Sequence, residues 1–82
     1  MAKEFNQMTI REIAYVVLND WKKVYFGAAP YLGAMTGFDS IDDRYGMDSA
    51  RSVVSYFLAN ASTWRGETAK AVKKELNNRL KK

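Results

Sequence analysis

Four aspartates, Asp39, Asp42, Asp43 and Asp48, fall within one ten-residue stretch, and clustered oxygen ligands are how proteins hold hard cations. Gly46 stands among them as the turn glycine of a calcium loop would. The spacing argues against that use. Such a loop needs alternating ligands immediately before its glycine, and Ile41, Arg44 and Tyr45 occupy those places. Paired carboxylates can also serve as acid and base in hydrolysis, but that requires a cleft and a partner base, and nothing around these residues suggests either. Helix capping and loop solvation account for the four acids.

The chain contains no His and no Cys. The commonest general base and the commonest zinc ligand are therefore missing, along with thiolate sites and disulfides. Gly27, Gly33, Gly37 and Gly46 form no phosphate loop, since no GxxxxGK[ST] run and no strand-linked GxGxxG is present. The expectation is a protein that is not an enzyme, with no metal, no cofactor and no small-molecule substrate.

The basic residues are the stronger signal. Residues 61–82 hold seven of the thirteen Lys/Arg and two of the nine Asp/Glu, about +5, while residues 1–60 hold six bases against seven acids. Such asymmetry points to an anionic partner. Lys70, Lys74 and Lys81 project together from a helix, with Lys73, Arg79 and Lys82 beside them, and Arg65 falls in the expected first turn of that helix. A row of this kind could follow a phosphate backbone or steer an acidic protein. The bland alternative is a solvated face whose lysines complement the helix dipole, with Arg65 packed along Trp64. Val54–Leu76 also has a helix–turn–helix outline: one helix to Ala59-Asn60, a connection Ala61-Ser62-Thr63, and a second helix from about Trp64. The usual turn glycine is lacking unless Asn60 replaces it. Arg65, Lys70, Lys73, Lys74, Arg79 and Lys81 are thus the candidate binders of a nucleic acid or an acidic partner. Most aromatics lie on core arcs; Tyr15 and Tyr45 are expected to be exposed, available to stack on a base or anchor a protein.

Helices must position these groups. Thr9 and Glu12 have capping-box spacing, and behind them Ile10, Ile13, Ala14, Val17, Trp21 and Val24 share one arc, which predicts a helix over 10–25 closed by Gly27. Pro30 opens a short helix over 30–36. A second short helix over 39–45 is expected, with Asp39 as cap. Asp48 or Ser49 caps a helix over 49–60 whose inward face is Ala50, Val53, Val54, Phe57 and Leu58, and Asn60 is its stop. Ser62 or Thr63 caps the last helix, 63–80, with Ala69, Val72, Leu76 and Leu80 inward. The fold class is all-α: one domain over 1–82, a bundle of three main helices plus one or two short ones, with residues 1–7 flexible. No apolar stretch approaches the ~20 residues of a membrane span, and MAKEFNQMTI is not read as a signal peptide.

The stretches YFGAAPYLGAM, DSIDDRYGMDSA and VVSYFLANASTWRGETAKAVKKEL resemble short proteins encoded by bacteriophages and prophages, a group with no established activity. The likeness runs from about Met8 to Leu76 and is carried by Pro30, Tyr31, Asp39, Asp43, Tyr45, Gly46, Tyr56, Phe57, Trp64, Arg65 and Gly66. It implies a cytoplasmic setting in a bacterial host and supplies no catalytic residues. Together the readings anticipate an accessory protein that binds a host protein, with nucleic-acid binding through the last helix as the alternative and no membrane partner.

Overall fold

Thr9 starts the first long helix as its spacing predicts: its Oγ1 accepts from the Glu12 N–H, and the Glu12 carboxylate accepts from the Thr9 N–H. The next two free amides, Ile10 and Arg11, donate to the carbonyls of Asp39 and Phe38. A distant loop therefore completes the cap. The computed structural model describes residues 4–81, all but the side chain of Tyr45. Within them lie four α-helices: α1 (Ile10–Asp20), α2 (Ala29–Met35), α3 (Ala50–Ala59) and α4 (Glu67–Leu80). Two two-residue strands, β1 (Arg44–Tyr45) and β2 (Asp48–Ser49), form a minimal antiparallel hairpin just before α3.

The helices pack in a ring, α1 on α2, α2 on α3, α3 on α4 and α4 back on α1. α2 and α4 therefore occupy diagonal corners. Inside the ring sit Ile10, Ile13, Val17, Leu32, Met35, Val54, Phe57, Val72 and Leu76, each almost fully buried. Trp21, Phe57 and Trp64 meet at one end of the core, the two indoles stacked with centroids 5.9 Å apart.

Several boundaries differ from the sequence expectation, each for a physical reason. α1 ends at Asp20, not near Tyr25, because Trp21 leaves helical geometry as its ring enters the core and Asp20 Oδ2 accepts from Trp64 Nε1 at 2.8 Å. Gly27 does not close that helix. It permits close approach: a Cβ there would lie 2.6 Å from the Tyr25 ring and 3.0 Å from Asn60 Oδ1. No helix forms over 39–45, because the Asp43 carboxylate takes the Asp39 and Ser40 amides into a tight loop that leads into β1. Ser49 caps α3 by accepting from the Ser52 N–H. Asn60 stops α3 in a right-handed conformation (φ −107°), not the left-handed one expected. The last helix starts at Glu67 rather than 63. Trp64 must first turn inward, and Gly66 (φ 117°, ψ 179°) supplies a backbone geometry that side chains avoid.

A flexible leader was the expectation for residues 1–7. Residues 1–3 lie outside those described, and Phe5–Gln7 form a 3-10 turn lying on α4.

Candidate binding surface

The outward arc of α4 carries Lys70, Lys74, Asn77 and Lys81, all exposed, because Ala69, Val72 and Leu76 commit the opposite arc to the core. Arg65 is exposed just ahead of the helix. Of the six basic candidates, these four (Arg65, Lys70, Lys74 and Lys81) form no ion pair among the described residues. Lys82 lies outside that range.

The other two candidates are held inside the fold. Lys73 Nζ donates to the Trp64 carbonyl at 2.6 Å and stands 5.9 Å above the Trp64 ring centroid. It is Lys73, not Arg65, that covers the indole. Burial pushes its pKa below the ordinary lysine value, and the nearby Arg65 charge acts in the same direction. Arg79 donates from Nη2 to the Phe5 and Met8 carbonyls, at 2.8 and 2.7 Å, and from Nε to Glu75 Oε2 at 2.7 Å. This guanidinium clips the N-terminal turn to α4. Neither cation is free for a partner. Nothing in the sequence around Arg79 marks its two carbonyl partners, which lie more than seventy residues away; only the Glu75–Arg79 helical spacing hinted at engagement.

Three of the four clustered acids, Asp39, Asp42 and Asp43, are also committed internally, while Asp48 is exposed. Asp42 pairs with Arg51 at 3.0 Å and Asp39 with Arg11 at 3.3 Å. The Ser40 and Asp39 amides, helped by the Arg11 charge, hold the Asp43 carboxyl below the ordinary aspartate pKa. Among the described residues no group of three or more acids could hold a metal ion. Lys73 lines a shallow cleft of about 320 Å³ with Trp64, Arg65, Gly66, Ala69 and Lys70, where no carboxylate is present to work with it.

Tyr15 is exposed, as expected, at 54%, while the side chain of Tyr45 lies outside the described residues. Tyr25, Phe26 and Tyr56, which were not singled out as exposed, are exposed at 43, 81 and 56%. Tyr56 stacks on half-buried Tyr31 at the α2–α3 seam, and Tyr25 leans on Phe26 in the turn before α2. The available signal was the run Val24–Phe38, fifteen residues without a charge.

No helix among the described residues is long and apolar enough to cross a membrane. No family model matches the chain, no curated protein matches it, and no solved structure matches it.

Proposed function

We propose that this chain is a non-enzymatic accessory protein, of the phage or prophage kind its sequence resembles, that binds an acidic host protein in the bacterial cytoplasm through the outward face of α4. The observation that carries the reading is the row Lys70, Lys74 and Lys81, with Arg65 at its near end, without an ion pair among the described residues, on a molecule whose Asp39, Asp42 and Asp43 are used internally. Glu67, Asn77 and Asn78 share that exposed arc. A mixed polar face suits a protein surface, where charge sets approach rate and orientation and neighbouring polar groups complete the contact.

A nucleic-acid backbone is the second reading. It is favoured by the row's straightness: at 1.5 Å per residue, Lys70 and Lys81 stand about 16 Å apart along the helix. Its helix–turn–helix form does not fit, because seven residues, 60–66, separate α3 from α4 where that motif has a tight turn.

Fluorescence anisotropy with two labelled probes, a glutamate-rich peptide and a duplex oligonucleotide, separates the readings. The expected result is peptide binding that weakens as salt rises from about 50 to about 200 mM and is lost in the Lys70→Glu/Lys74→Glu/Lys81→Glu variant. Tight duplex binding lost in the same variant would replace the first reading with the second. Binding of neither probe overturns both.

A further inference from the structure

The outer side of α2 carries no charged side chain. Ala29, Pro30, Gly33 and Ala34 are exposed along it, and Gly37 continues the same side. Ala28 and Ala29 both donate to the Tyr25 carbonyl, so the turn before α2 is nearly helical. Phe26, 81% exposed, thereby falls three and four residues ahead of Ala29 and Pro30, on their side of the helix. At the other end of α2 is an apolar notch of about 230 Å³ between Ala34, Gly37, Phe38 and Asp48. One end of the face carries a protruding ring, the other a recess that can admit one.

We infer that this face joins a second copy of the chain in a two-fold dimer, with α2 antiparallel to its symmetry mate. Such pairing sets Pro30 opposite Gly33, Ala29 opposite Ala34, and Phe26 opposite Gly37 of the other copy, so each ring enters the other's notch. The arrangement is isologous: one patch serves both sides. Gly33, facing Pro30 near the centre, and the Ala29–Ala34 pair beside it let the helix backbones come close. A distinct apolar partner would need only one knob or one hole, whereas this face has both, at matched distances from its middle.

Charge permits this occupant. Each copy carries +4, so two copies repel wherever their basic surfaces meet. Val24–Phe38 contains no formal charge, and the ring order of the helices puts α4 on the diagonal corner. Joining through α2 keeps the cationic helices apart and leaves both pointing outward.

Phe26 and Tyr25 together would hide about 250 Å² per copy, taking about 200 Å² for a full ring side chain. With the short face of α2 added, the interface stays below the ~800 Å² per partner of stable complexes. The dimer is therefore a weak one, populated with rising concentration.

Sedimentation equilibrium from micromolar to millimolar protein tests this. The wild-type chain should shift from monomer to dimer. Phe26→Glu and Ala34→Glu, both at exposed positions, should keep the helical circular dichroism and raise the dimer dissociation constant by about 30-fold or more, the scale of losing an interface anchor. Lys70→Glu/Lys74→Glu should leave a dimer in place. A wild-type chain that stays monomeric at millimolar concentration, or a dimer that survives both α2 substitutions, overturns the inference.

Discussion

Arg79→Leu should cost far more stability than the same change at any exposed lysine on the same helix. The guanidinium makes three bonds of 2.7–2.8 Å, to two backbone carbonyls and to Glu75, and the ion-paired side chains are only 13 and 17% exposed. Bonds to a charged donor contribute about 1.5–3 kcal/mol where the abandoned acceptor stays dry. The Phe5 and Met8 carbonyls lie near the surface and can regain water, so each counts for about 1 kcal/mol. Glu75 loses its Arg79 partner in a largely buried place and adds a similar amount. The expected loss is about 3 kcal/mol, from a total of about 4–12 kcal/mol for a chain of this length. Lys74→Leu, on the solvated arc, should stay within about 0.5 kcal/mol of wild type. Guanidinium denaturation followed by circular dichroism measures both, and hydrogen exchange should show the Gln7 and Met8 amides deprotected in the Arg79 variant alone. If the two variants lie within about 0.5 kcal/mol of each other, the division of the basic residues into internal and free is wrong.

Trp64→Ala should lose about 4 kcal/mol, since it empties a ring that is 2% exposed, stacked on Trp21 and bonded to Asp20; a loss under ~1 kcal/mol would place that ring in solvent. Val54→Asp, at a position with no exposed surface, should leave the chain unfolded or nearly so by circular dichroism, because its carboxylate would be buried without a partner. Gly66→Ala should cost about 1–3 kcal/mol in urea titration through backbone strain alone, since no atom lies within 4 Å of the added methyl; a neutral result would mean the backbone before α4 is not held at φ 117°. The depressed pKa of Asp43 gives stability that is present above 3.8, the ordinary aspartate value, and lost as pH falls through the lower folded value. The stability difference between wild type and Asp43→Asn, measured by urea denaturation at several pH values, should therefore favour wild type near neutrality and shrink in acid. A difference independent of pH would remove Asp43's role.

What was legible in the sequence was whatever depends on neighbours along the chain. The Thr9–Glu12 box, Ser49, Pro30 and the inward stripes of α1, α3 and α4 are local patterns, and the all-α fold follows from them. What escaped depends on distant groups. α1 stops early because Trp21 has an indole to meet that lies more than forty residues away. Ser62 and Thr63 have the chemistry of a helix cap, yet α4 waits for Gly66 because Trp64 must first be buried. Asp39–Tyr45 carries capping residues that serve a loop rather than a helix, since one carboxylate can satisfy two amides there. Within the basic site the lysine row follows directly from helical periodicity. The internal roles of Lys73 and Arg79 do not, because their acceptors are backbone carbonyls, which no residue type announces.

The most direct test of the proposed role is a two-dimensional NMR titration of the isotope-labelled chain with the glutamate-rich peptide at low salt. The account predicts saturable shifts centred on the amides of residues 65–81 along the outward arc of α4, vanishing as salt rises, with α2 unaffected. Shifts centred on Phe26 and α2, or shifts that reach Arg79 and Phe5 before Lys70 and Lys74, would contradict it.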